Sequence, residues 1–89
     1  MADTTGRRLI LKDGTTIENG EAGEAGGFLW LYLFGQTVAE AASIFTDPEK
    51  TGEIAFQYGT MEDRYEGFTE FRNMMTDGSG KISVCMTKK

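Results

Sequence analysis

A chain of 89 residues with 39% hydrophobic and 11% aromatic residues carries enough apolar surface for one packed core, and a chain this short buries a little over ~60% of its unfolded surface on folding. Fourteen acidic against nine basic residues give a net charge of -5, which disfavours attraction to a phosphate backbone, so direct nucleic-acid binding is not expected. The absence of histidine removes histidine general bases, Ser-His-Asp and Cys-His nucleophile pairs and the usual transition-metal ligand sets.

From the N-terminus, residues 1–7 read as a flexible arm of a single domain spanning 1–89. Arg7 and Arg8 are followed by only three apolar residues, Leu9 to 11, before Lys12 and Asp13, so neither a signal peptide nor a membrane anchor is expected. Residues 8–12 and 15–18 form two short strands, and Asp13-Gly14 between them predicts a two-residue turn with positive φ at both centres. Residues 19–27, with four glycines and no large side chain, read as a loop or an irregular strand end.

The next stretch, Phe28-Leu29-Trp30-Leu31-Tyr32-Leu33-Phe34, is the most apolar in the chain. As a strand it carries Phe28, Trp30, Tyr32 and Phe34 on one face and Leu29, Leu31 and Leu33 on the other. Both faces call for burial, so it reads as a central strand, with the aromatic face expected to fill the core. The same face has a binding reading in which Trp30 and Tyr32 form a platform for a partner.

Thr37 and Glu40 match a capping box that starts a helix, with Val38, Ala41, Ala42 and Phe45 on its apolar side, until Asp47-Pro48 ends it. The segment from Asp47 places oxygen ligands at the first, third and fifth positions of a calcium-type loop, but Tyr58 stands where the bidentate glutamate belongs, so a plain helix-to-strand turn is expected. Glu53–Tyr58 alternates as a strand, 59–63 turns, and 64–75 returns with a bulge or bend near Gly67. After a turn at 76–80, Lys81–Thr87 closes the chain with Ile82, Val84 and Met86 inward.

The expected fold is α+β: a mostly antiparallel, barrel-like or strongly twisted sheet of about five to six strands with one short α-helix. Cys85 has no internal partner and no flanking cation to activate it, so it reads as a small hydrophobe in a reducing, cytoplasmic setting. Glu62/Asp63 and Glu66/Glu70 read as a solvated face, because paired catalytic carboxylates need opposed environments. No cofactor motif is present, and catalysis is not expected.

The 11–15, 27–33, 45–51 and 65–69 segments, which read LKDGT, GFLWLYL, FTDPEKT and YEGFT, resemble small uncharacterised proteins encoded in prophages of gut Firmicutes. The resemblance implies a phage or mobile-element accessory protein without enzymatic activity, and it transfers no site residues. The leading functional expectation is therefore a non-catalytic binding or assembly protein, virion- or tail-associated, that engages a protein partner or self-associates through an open sheet edge. The second expectation is a small acidic inhibitor of a host defence system. A nuclease mimic would use Glu62, Asp63, Glu66 and Glu70, and nucleotide capture would use Arg64 or Arg72.

Overall fold

Two short strand-like stretches on either side of Asp13-Gly14 place the first hairpin. In a computed structural model that describes residues 6–88, β1 (Arg8–Leu11) encloses Leu9 and Leu11, and β2 (Thr16–Glu18) pairs antiparallel with Ile17 opposite Leu9. The turn between them departs from the two-residue expectation. Gly14 N–H donates to the Leu11 carbonyl at 2.9 Å and Leu11 N–H to the Thr15 carbonyl at 2.8 Å, closing a three-residue loop. Only Gly14 takes a positive φ, because the Asp13 carboxylate accepts from the Thr15 N–H at 3.0 Å and holds the turn without a second left-handed residue.

Most of the expected flexible arm, 1–5, lies outside the described residues. Arg7 does not behave as part of a loose arm: its carbonyl accepts from Asn19 N–H at 2.8 Å and its guanidinium pairs with Glu21.

The region expected as a loop or an irregular strand end contains a regular strand, β3 (Glu21–Ala25), every residue of which pairs with β4 (Phe28–Phe34). Gly26 and Gly27 both adopt positive φ, 62° and 84°, and form the tight turn that twists two antiparallel strands together. Low intrinsic strand propensity is overridden because the ladder to β4 satisfies this backbone, and strand preference is set mostly by the partner strand.

Helix α1 (Val38–Phe45) starts at the expected capping box: Glu40 N–H donates to Thr37 Oγ1 at 3.1 Å and Thr37 N–H to Glu40 Oε1 at 2.9 Å. Its buried residues are Ala41 and Phe45, whereas Val38, expected on the same face, is 52% exposed in the first turn. A second short helix, α2 (Pro48–Thr51), follows where a plain turn was expected. Asp47 caps it by accepting from Glu49 N–H at 3.0 Å, and proline is tolerated in its first turn, where no intrahelical donor is needed. Lys50 reaches Asp13 at 2.6 Å and ties α2 to the first hairpin.

β5 (Glu53–Tyr58) turns through Gly59-Thr60 into β6 (Met61–Glu66), so Met61, Glu62 and Asp63 belong to a strand rather than to the expected turn. The stretch read as one bent strand over 64–75 is two. Gly67, at φ 82°, lets the chain leave β6, Phe68 drops into the core, and β7 (Glu70–Thr76) joins a different sheet, with its own bulge between Phe71 and Asn73. β8 (Lys81–Thr87) then runs between β4 and β7.

The result is α+β and mostly strand, but the single barrel-like sheet is replaced by two open four-stranded antiparallel sheets, ordered β2-β1-β5-β6 and β3-β4-β8-β7. Among the described residues there are eight strands and two small helices, more than the five to six strands and one helix expected. The strand count rises because the glycine-rich stretch before Gly26-Gly27 is itself a strand and because the chain breaks at Gly67, which divides the stretch read as one strand. One hydrophobic cluster joins both sheets: Leu9, Leu11, Ile17 and Ile54 from the first, Leu29, Leu31, Leu33, Ile82, Val84 and Met86 from the second, with Ala41, Phe45 and Phe68 from the connections.

Asn19 and Gly20 carry the chain from the edge of the first sheet to the edge of the second, Asn19 at φ 63°. A Cβ on Gly20 would lie 2.8 Å from Leu9 Cδ1 and 2.9 Å from its Cγ, and Leu9 is fully enclosed with no room to retreat. Gly20→Ala is therefore expected to cost about 1–3 kcal/mol through overpacking, measured as a lower midpoint in urea unfolding with an unchanged slope; an unchanged midpoint would mean that Leu9 repacks freely.

Candidate functional site

β4 determines where the apolar surface goes. Leu29, Leu31 and Leu33 are fully buried between the sheets, while the other face of the strand turns outward, with Phe28 38% and Phe34 42% exposed and Trp30 and Tyr32 half-buried. The expectation that the aromatic face fills the core is thus corrected. A sheet in a two-sheet packing has one inner face, and the leucines occupy it together with Ile82, Val84 and Met86 of β8. The buried side of α1, Ala41 and Phe45, joins the same core as the leucine face, so the helix leaves the aromatic face uncovered.

Register defines what surrounds the aromatic row. Across β3, Gly23 lies opposite Trp30 and Ala25 opposite Phe28, and a Cβ at Gly23 would meet nothing within 4 Å, so this flank stands open. On the other side Thr87, Cys85, Ser83 and Lys81 of β8 oppose Phe28, Trp30, Tyr32 and Phe34 in turn. Beyond them β7 contributes Glu70, Asn73 and Met75, the last 58% exposed. Lys81 Nζ stands 4.7 Å from the Tyr32 ring centroid, a cation–π contact that keeps the ammonium on this face. The Phe28 and Trp30 rings lie 6.3 Å apart at 49°. Next to Lys81 a shallow cleft of about 230 Å³ is lined by Met75, Thr76, Asp77 and Ser83.

The charged candidates do not converge. Glu62, Arg64 and Glu66 occupy the outer side of the first sheet, opposite Gln57, Ala55 and Glu53. There Arg64 Nε donates to Glu62 Oε2 at 2.7 Å and Gln57 Nε2 to Glu62 Oε1 at 2.8 Å. These bonds, that from Gln57 foremost, hold the Glu62 carboxyl below its ordinary range. Asp63 points to the other side of β6, where it accepts from the Tyr58 hydroxyl at 3.0 Å and pushes that phenol upward. Glu70 lies in the second sheet, beside the aromatic row, and Arg72 sits in the β7 bulge. The four carboxylates proposed for nuclease mimicry are thus spread over two sheets and opposite faces, and Arg64 is engaged by Glu62. The sequence considered as a calcium-type loop is coiled into α2, with the Asp47 carboxylate occupied as its cap.

Of the predicted partner-binding residues, Trp30, Tyr32 and Glu70 come together on one face, and Phe28, Phe34, Met75 and Lys81 join them. Lys81 carries a sequence signal, since inward Ile82, Val84 and Met86 force Lys81, Ser83 and Cys85 to the opposite side; which strand they would lie beside is not encoded locally. Cys85 is buried at 6% exposure beneath this outer face, next to Trp30. Among the described residues no helix is long and apolar enough to cross a membrane. Comparison with protein-family models, curated proteins and solved structures gives no match, so the geometry of the face itself carries the functional argument.

The two sides of β4 should respond differently to truncation. Leu31→Ala is expected to lose about 2–5 kcal/mol by opening a cavity in the core. Trp30→Ser with Tyr32→Ser, on the outer face, should cost less than half as much in the same urea titration; equal losses would place the aromatic side chains in the core after all.

Proposed function

We propose that this chain is a non-catalytic binding or assembly protein, an accessory component of a phage or mobile element with a place in the virion or its tail. The observation that carries the reading is the uncovered aromatic row on β4. A domain this small has few large apolar residues, and a row of four aromatic residues, Phe28 and Phe34 exposed and Trp30 and Tyr32 half-buried, with Met75 on the same face, is the usual mark of a protein–protein contact. Aromatic anchors of this kind dominate interface energetics, and the polar neighbours Ser83, Thr87 and Asn73 resemble the rim that surrounds such anchors.

Two further considerations support the proposal. The chain lacks histidine, Glu62 bonds to Arg64 and Asp63 to Tyr58 within one hairpin, and the pocket that Glu62 and Arg64 help to line holds only about 100 Å³. The phage context comes from the resemblance of the 27–33 and 65–69 segments to small prophage proteins, and the lone thiol suits action in the cytoplasm, where particles assemble. The defence-inhibitor reading draws less support, because Glu62, Asp63, Glu66 and Glu70 form no continuous acidic surface.

The experiment is complementation in a lysogen of the parent element whose copy of the gene is inactivated. Wild-type protein is expected to restore the yield of infectious particles and to be found in purified particles by mass spectrometry. Trp30→Ser/Tyr32→Ser protein, accumulating to the same level, should fail at both. Particle yield that does not depend on the gene, or equal rescue by both forms, would overturn the proposal.

A further inference from the structure

We infer that the outer face of the second sheet is covered by a second copy of this chain, packed face to face about a two-fold axis that sets the two β4 strands antiparallel. The inference deepens the proposed function and rests on its reading of this face as a binding surface.

The row is self-complementary. Phe28, Trp30, Tyr32 and Phe34 read aromatic in both directions, so an antiparallel two-fold lays Phe28 on the second copy's Phe34 and Trp30 on its Tyr32. The charges follow the same symmetry. Thr87 and, one strand further, Glu70 mark the Phe28 end, whereas Lys81 marks the Phe34 end. Antiparallel packing brings Lys81 of each copy over the other's Thr87, one strand spacing of ~4.8 Å from Glu70, within reach of both flexible side chains. A two-fold running along β4 instead would set Phe34 on Phe34 and leave Lys81 far from Glu70. Glu21, the remaining acid that the ladder places on this face, is already paired with Arg7. Asp77, which lines the cleft beside Lys81, leaves one acidic charge in excess on each copy, a repulsion that the two Lys81–Glu70 pairs offset.

Other occupants fit less well. The cleft beside Lys81, at about 230 Å³, falls short of the roughly 300–1,000 Å³ of ordinary small-molecule sites. On this sheet, strand addition at an edge, the route to self-association expected from sequence, is obstructed on β7 by its bulge and on β3 by Glu21 and Glu24. The footprint sets the strength. Seven residues at ~3.3 Å across four strands at ~4.8 Å cover roughly 440 Å² per copy, or roughly 900 Å² for the pair, below the ~1,200–2,000 Å² of stable complexes. The dimer is accordingly weak and concentration-dependent, suited to assembly where copies are held close together.

Sedimentation of the full chain over a concentration series tests this. Wild-type protein should pass from monomer to dimer, and Lys81→Glu or Glu70→Lys alone should weaken that transition by about tenfold, because each reverses one charge in both symmetry-related pairs. An equimolar mixture of the two variants should associate like wild type, since every pair is then again of opposite sign. Phe34→Ser, at a rim position that is already exposed, should weaken association without changing charge, and thermal melts should show all three variants folded. A wild-type chain that stays monomeric throughout overturns the second copy as occupant and leaves the particle assay to judge the wider reading. A dimer indifferent to the charge reversals, or a mixture no tighter than its components, overturns the antiparallel register.

Discussion

A strand has two faces, and two sheets packed on one core offer a shared interior to only one face of each. That constraint acts most strongly on β4, where both faces are apolar. Three leucines and four aromatic side chains compete for one interior, and the leucines take it. Opposite β4, the first sheet supplies Leu9, Leu11, Ile17 and Ile54, so the space between the sheets is filled with branched aliphatic side chains of similar size. Phe45 and Phe68 complete it from the connections. The aromatic row is then left outside by exclusion, and every functional statement about this protein descends from that outcome.

The connections enforce the same arrangement. The chain crosses between sheets at Asn19-Gly20, through the two helices, and at Gly67-Phe68-Thr69, so both helices and a bend residue are drawn inward. Gly20 is confined by Leu9, and Gly67 donates its N–H to the Gly52 carbonyl at 3.0 Å, which fastens the bend to the end of α2. With α1 committed to the core and α2 tied to the first hairpin through Lys50 and Asp13, no element among the described residues covers the outer face of the second sheet. The exposed face is thus a consequence of topology, and its palindromic aromatic row and charge placement suit it to a second copy.

Much of the local structure was legible in the sequence. A short apolar run located β1, period-two alternation located β4, β5 and β8, and Thr37 with Glu40 announced the first residue of α1. Gly26-Gly27 is a hairpin signal submerged in a glycine-rich stretch, and so β3 reads in sequence as a loop or an irregular strand end. The sorting of β4's two faces was not legible, because it depends on which strands become neighbours and on what the opposite sheet contributes. For the same reason Glu62, Asp63, Glu66 and Glu70 looked like one acidic group. Parity separates Asp63 from its neighbours, and a change of sheet at Gly67 separates Glu70 from the rest. Lys81 and Met75 entered the site only through the ladder to β4 and β8.

The chain has a single tryptophan, and it stands in the middle of the disputed face, so its fluorescence in dilute, monomeric solution tests the central claim most directly. The account predicts emission toward the red, with ready quenching by acrylamide, as for an indole with one side in water. Blue-shifted emission protected from acrylamide in a proven monomer would place Trp30 in the core and contradict it.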